Sequence, residues 1–267
     1  MKIFAISVVK NEADIIAANL LAASQWADKI FVLDNGSTDA TWEIVQSLAS
    51  DKIVPYKQDF SPFYDGIRAQ VFNHYRWLAQ AGDWWCYRLD ADEIYADNPR
   101  EFLPRVPTHH HFVASETIFF NLTKEDFAGG SAGPASVDEI RYYQPSTWSE
   151  ARFFRHRPGM EWAAPAHAPK HMGVLHNRRI KIKHYQFRSL DQIKQRVAVR
   201  QQAREGGCEG FGYSINEDVN EYLLDRAALR RYEPGQPWQL TGPQNQLYQR
   251  WYDVALKTFC HATGLYK

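Results

Sequence analysis

The stretch Trp84-Trp85-Cys86-Tyr87-Arg88-Leu89-Asp90-Ala91-Asp92-Glu93 passes from residues that favour a buried strand into three carboxylates within four positions. Clustered anions repel one another unless a cation, hydrogen-bond donors or water compensates them. The C-terminal edge of a parallel sheet is where α/β proteins bind ligands, so this ending reads as a ligand site. A hard divalent cation suits the oxygen-only donor set, because Mg2+ takes one or two carboxylates together with substrate phosphates. The plainer alternative is a solvated acidic turn or the first turn of a helix.

The preceding residues supply the context. Ile3 to Val9 is a nearly continuous β-favouring run, as expected for a strand covered on both faces. Lys10-Asn11-Glu12 interrupts it, and Ile15, Ile16, Leu20 and Leu21 then recur at helical spacing. Ile30-Phe31-Val32-Leu33 is a second strand, ending in Asp34-Asn35-Gly36-Ser37-Thr38-Asp39 before a helix carrying Trp42, Ile44, Val45 and Leu48. Ile53-Val54-Pro55-Tyr56 is a third strand, and its proline places it at an edge. Ile67, Val71, Tyr75 and Leu78 form one stripe of a helix leading back to Trp84. This β-α-β-α-β-α-β order predicts an α/β fold with a doubly wound, mostly parallel sheet, since parallel strands need intervening crossovers. The polar loops after Val9, Leu33 and Leu89 then lie along one edge.

Beyond about residue 100 the pattern is less regular. Phe112-Val113-Ala114, Thr117 to Phe120, Arg152-Phe153-Phe154 and Ile180 to Lys183 read as short strands, and Ala128 to Ser136 as a loop. Ser189 caps an expected helix through about Arg204 that Gly206-Gly207 ends. The remainder reads as mainly helical, with Tyr222, Leu223, Leu224 and Leu229 in one segment and Leu247, Trp251, Val254 and Leu256 in another.

Composition limits the partners. Lys plus Arg (31) equals Asp plus Glu (31), which argues against a nucleic-acid-binding field. Cys86, Cys208 and Cys260 are widely spaced, so neither a disulfide framework nor a cysteine zinc site is expected. The N-terminal apolar run lacks a cleavage site, and no stretch approaches the ~18 apolar residues of a membrane span. A cytoplasmic location is the expectation, with peripheral contact at the inner membrane face as an alternative.

Taken together, Val8 to Glu12, Leu33 to Asp39 and Leu89 to Glu93 resemble the family 2 glycosyltransferases of GT-A fold over roughly the first 100 residues. His184-Tyr185-Gln186-Phe187-Arg188-Ser189 is similar to a later signature of the glycosyltransferase 2-like branch. The resemblance implies a nucleotide-diphospho-sugar donor, with a UDP-sugar favoured. It implies nucleoside contacts at Asp34 and Asn35, and a pocket wall at Lys10, Asn11 and Glu12. Asp90 would face ribose or a metal-bound water, Asp92 would hold Mn2+ or Mg2+ on the diphosphate, and His184 would complete the metal site. It also implies a GT-A-like catalytic domain at 1–205, with a nucleotide-sugar half (1–100) and an acceptor half (101–205). A helical extension at 206–267 would pack on that domain.

An inverting transferase needs a base for the acceptor hydroxyl. Glu150 ranks first, then Glu161, with His167 near the acceptor as a further candidate; the Glu-Asp pair of many family members is absent. Trp148 and Trp162 suit either sugar stacking or core packing. Arg68 reads as a surface cation, with a donor contact as the alternative. His109-His110-His111 is excluded from the site, because successive strand side chains alternate faces. The expected activity is sugar transfer to a hydroxyl of a glycan or lipid-linked saccharide, metal-dependent and inverting. The rival readings are a non-catalytic nucleotide- or sugar-binding module and, with less support, a nucleotidyltransferase, which would need a glycine-rich phosphate loop absent from Val9 to Glu12.

Overall fold

The computed structural model describes residues 1–64, 66–164, 166–205, 218–245 and 247–266. Two compact units divide the chain. Met1–Glu116, Ser149–Ile182 and Asn245–Lys267 form the first, and Thr117–Trp148 with Lys183–Gln244 form the second.

The first unit opens with β1 (Ile3–Val9), α1 (Ile16–Ser24), β2 (Lys29–Asp34), α2 (Thr41–Ser47), β3 (Ile53–Gln58), α3 (Ile67–Tyr75) and β4 (Trp84–Cys86). Strand β1 pairs in parallel with both β2 and β4, and β2 pairs with β3, giving the order β4-β1-β2-β3. The α/β alternation read from hydrophobic spacing is therefore present, and the proline-bearing β3 lies at the edge. Phe4, Phe31 and Trp85 stack across the three neighbouring strands, with the Phe4 and Trp85 centroids 5.0 Å apart. Phe72 of α3 meets Trp85 edge-on at 5.1 Å. Burying each such side chain contributes on the order of 1.5–3 kcal/mol, so this aromatic layer anchors the strands whose ends carry the polar loops.

Two local expectations change. Regular pairing of β4 stops at Cys86; beyond it the Tyr87 amide donates to the Arg152 carbonyl and the Leu89 amide to the Ile6 carbonyl, both at 3.0 Å. The acidic stretch does not start a helix either. The Glu93 amide donates to the Asp90 carbonyl at 3.1 Å, closing a turn into β5 (Glu93–Tyr95), and the short α4 (Pro99–Phe102) follows.

The two strands expected around residues 112 and 117 are one, β6 (Phe112–Asn121); β7 (Tyr142–Trp148), β8 (Ala151–Arg155) and β9 (Ile180–His184) come next. In the first unit, β8 pairs antiparallel with β4 and with Phe112 to Ala114. This brings Arg152 beside the acidic turn.

In the second unit, Thr117 to Asn121 pair antiparallel with β7. Helix α5 (Leu190–Glu205) starts at Ser189, whose Oγ accepts from the Gln192 amide at 3.1 Å, in keeping with the expected cap. The expected stop at Gly206-Gly207 lies outside the described residues. The two-residue strands β10 (Arg230–Arg231) and β11 (Gly242–Pro243) both pair with β7. The helical reading of Tyr222 to Leu229 is corrected to short 3-10 turns, Val219–Tyr222 and Arg226–Ala228. The Leu224 amide donates to the Leu122 carbonyl and the Leu224 carbonyl accepts from the Lys124 amide, so groups a helix needs are spent in a bridge. The second expected segment is helical only from Trp251: α6 (Trp251–Ala262), part of the first unit, with Leu247 in the irregular chain before it.

Candidate functional site

The loops after β1 and β2 are tied to each other. Asn11, in the left-handed region at φ 54°, donates its amide to Ser37 Oγ at 2.9 Å, and its Oδ1 accepts from the Thr38 amide at 2.8 Å. The Glu12 amide donates to Thr41 Oγ1 at 2.8 Å. Gly36 turns the β2 loop at φ 73°, where an added Cβ would meet the Phe60 ring at 3.1 Å. Asn35 is buried and donates from Nδ2 to the Asp59 and Ser61 carbonyls, so it braces the loop after β3. Lys10 is exposed, while Asn11 and Glu12 are half-buried.

Asp34 ends β2 and is fully buried. Its Oδ1 accepts from the Ser37 amide at 2.8 Å and from Gln58 Nε2 at 3.4 Å, whereas Oδ2 is buried with no hydrogen-bond partner. An unsatisfied buried carboxylate oxygen is costly, and a ligand hydroxyl or imide N–H is the kind of donor that relieves it.

One strand beyond β1, the acidic turn is embedded in guanidinium groups. Asp90 Oδ1 accepts from Arg68 at 2.8 Å, and Oδ2 pairs with Arg152 at 3.2 Å and Arg88 at 3.8 Å. Arg152 also reaches Glu93 at 2.6 Å and Glu150 at 3.3 Å, and Arg88 pairs with Glu150 at 2.9 Å. Asn19 of α1 donates to the Asp90 carbonyl at 3.0 Å and the Glu93 carbonyl at 2.6 Å, fixing the turn from below. Burial opposes ionisation of Asp90, but Arg68, Arg88 and Arg152 outweigh it and hold the carboxyl well below the usual range. Arg152 is 2% exposed; burial disfavours its charge, yet Glu93, Asp90 and Glu150 raise its pKa well above the ordinary value. Three guanidiniums thus face three carboxylates, and Asp92 sits buried in the same turn. The Nε atoms of Arg68, Arg88 and Arg152 are buried without hydrogen-bond partners.

This donor set bears directly on a divalent cation. Both Asp90 oxygens face guanidiniums, so Asp90 is held by arginines and not presented to an ion directly. Among the described residues, no three His, Cys, Asp or Glu side chains converge into a metal-binding group. His184, half-buried at the end of β9 with its ring 5.4 Å from that of Phe119, belongs to the second unit, and Asp92 to the first.

Of the base candidates, Glu150 alone joins this cluster; Glu161 and His167 are exposed on the irregular segment after β8. Trp162 is a core residue, 1% exposed, donating from Nε1 to the Ala166 carbonyl, while Trp148 is 39% exposed. Arg68 is corrected from a surface cation to a buried partner of Asp90. In the 109–111 tract, His111 stacks on His261 with centroids 3.6 Å apart, a packing role apart from the acidic turn. Sequence reasoning missed Arg88, Arg152 and Asn19. The available signal was an arginine opening a buried Phe-Phe strand, a position where a cation requires anionic partners.

Asp34 at the end of β2 and the turn with Asp90 and Asp92 beyond β4 follow the two parallel strands that flank β1. Residues 5–106, less than half of the chain, match the model of "Glycosyl transferase family 2". Among solved structures, the chain is similar to S. aureus TarS 1-349 in complex with UDP, at 17% identity and TM-score 0.33 over 58% of this chain and 47% of that one. Against S. aureus TarS the figures are 14% and 0.39, over 74% and 39%. For TarS 1-349 in complex with UDP-GlcNAc they are 13% and 0.38, over 84% and 70%. The chain thus spans less than half the length of the first two. Comparison with curated proteins finds no match. Among the described residues, no helix is long and apolar enough to cross a membrane.

Proposed function

We propose that the protein transfers a sugar from a nucleotide-diphospho-sugar, with a UDP-sugar favoured, to a hydroxyl of a glycan or lipid-linked acceptor with inversion. The observation that carries the reading is Asp34 Oδ2, a buried, unpartnered acceptor at the end of β2 beside the Lys10 to Glu12 loop. A nucleoside supplies the missing donor, and its diphosphate then extends along the sheet edge toward Asp92.

A divalent cation, Mn2+ or Mg2+, would be held by Asp92, with His184 added by family resemblance; when bound it stabilises charge on the departing diphosphate. The arginines serve the same end. Arg88 is one-third exposed and shared between Glu150 and Asp90, so an entering diphosphate competes for its guanidinium. Glu150, relieved of that partner, is the first choice to take the acceptor proton. Glu161 and His167 rank behind it because they lie exposed outside the cluster.

Calorimetry with UDP and UDP-sugars, followed by product analysis on an acceptor panel, tests the reading. Micromolar binding with release of UDP supports it. Binding without turnover points instead to a nucleotide- or sugar-binding module, a reading favoured to the extent that Glu150 stays paired with its two arginines.

A further inference from the structure

Helix α6 is turned inside out. Its exposed face carries Trp251, Tyr252, Ala255, Leu256 and Phe259, with Trp251 80% exposed and Leu256 and Phe259 each 59%. The residues turned toward the protein are Asp253, Val254, Lys257 and His261, all half-buried, around the buried Cys260, so polar groups share that face with one aliphatic side chain. A surface helix ordinarily does the reverse. The orientation is fixed by close contacts: His261 stacks on His111 at 3.6 Å, over Gly173, where an added Cβ would lie 2.3 Å from His261 Nε2. Rotating the helix to hide its apolar face would break that stack.

We infer that this face is the interface between two copies of the chain, packed antiparallel about Ala255. Trp251, Ala255 and Phe259 fall at i, i+4 and i+8, one stripe of a helix with a small residue between two large rings. A two-fold axis at Ala255 sets Trp251 of one copy against Phe259 of the other, and the alanine allows the close approach of about 8–10 Å that packed helices need. The area is sufficient. With aromatic side chains offering ~150–250 Å² each, complete covering of the exposed parts of these rings and Leu256 gives on the order of 1,000 Å² over two copies, the threshold for specific association. Exposed Tyr248 and Leu265 flank the helix and add to it. A lipid surface is the weaker fit, because interfacial helices set several lysines and arginines around the apolar face, whereas here Lys257 is half-buried on the other side and Arg250, over the Tyr252 ring, is the cation bordering the face.

Sedimentation equilibrium of the full chain at roughly 1–50 µM, concentrations that span transient to stable dimers, tests this. Twice the monomer mass is expected. Ala255→Arg, which places a long cation at the crossing point of an exposed helical position, should raise the dissociation constant at least tenfold with an unchanged circular dichroism spectrum. Trp251→Asp with Phe259→Asp should do the same by a different route. A monomeric wild-type chain overturns the inference, as does a dimer that survives both variants. Co-flotation of a monomeric wild-type chain with phosphatidylglycerol vesicles also overturns it and assigns the face to lipid.

Discussion

The guanidinium of Arg152 donates to Glu93 at 2.6 Å, and the two side chains are 2% and 3% exposed. A buried pair of this kind adds little over an apolar pair of equal volume, but removing one partner leaves the other charge stranded. Arg152→Met is expected to destabilise the fold by about 3–5 kcal/mol. Adding Glu93→Gln should recover part of the loss, giving a non-additive cycle in urea denaturation.

Asp34→Asn should weaken UDP binding at least tenfold while the melting temperature shifts little. One carboxylate oxygen already lacks a partner, so the folded state loses few bonds when the charge is removed. Isothermal titration calorimetry beside differential scanning fluorimetry separates the two effects.

The folded chain should lose stability in mild acid. Burial, with the neighbouring His261 and Arg157, lowers His111 to about 3; burial, with Arg157 and His171, lowers His261 to about 4. Both bases bind protons more readily when unfolded, so their neutral stack costs nothing above the unfolded value near 6.5. As pH falls below that value the unfolded chain gains protons first, and stability declines until the folded values near 3 and 4 are reached. His111→Phe should flatten the pH dependence of the melting temperature between pH 6.5 and 4, a window that follows from those values.

Glu150→Gln should lower kcat by about 10²–10⁴, the usual contribution of a general base, while leaving the affinity for UDP near wild type. Arg88→Met should instead raise the KM for the donor. Steady-state kinetics distinguish the two patterns, and an unchanged kcat for Glu150→Gln would remove that residue from the base role.

How much was legible in the sequence follows from how local each signal is. From β1 to α3, strand and helix are encoded by spacing within each element, and the edge position of β3 by Pro55 alone. The acidic turn was legible as the polar end of an aromatic strand because Asp90 and Asp92 follow it directly. Its compensating charges were not, because Arg68 and Arg152 stand 22 and 62 residues from Asp90: Arg68 reaches it from α3, and Arg152 only after β8 is inserted antiparallel beside β4. Tyr222 to Leu229 carries helix-favouring leucines, yet pairing of Leu224 with the Leu122 to Lys124 backbone overrides that preference. Helix α6 shows the converse. Its periodicity located the helix correctly, but nothing in periodicity tells which face meets the protein.

The central claim is best tested by a mass-spectrometric screen of UDP-, GDP- and dTDP-sugars with Mn2+ or Mg2+, run on wild-type protein and Asp92→Asn. The account predicts consumption of a nucleotide-sugar with release of its nucleoside diphosphate, and loss of that release in the folded Asp92→Asn protein. Full turnover by Asp92→Asn, or no nucleotide-sugar consumed by the wild type across the panel, would contradict it.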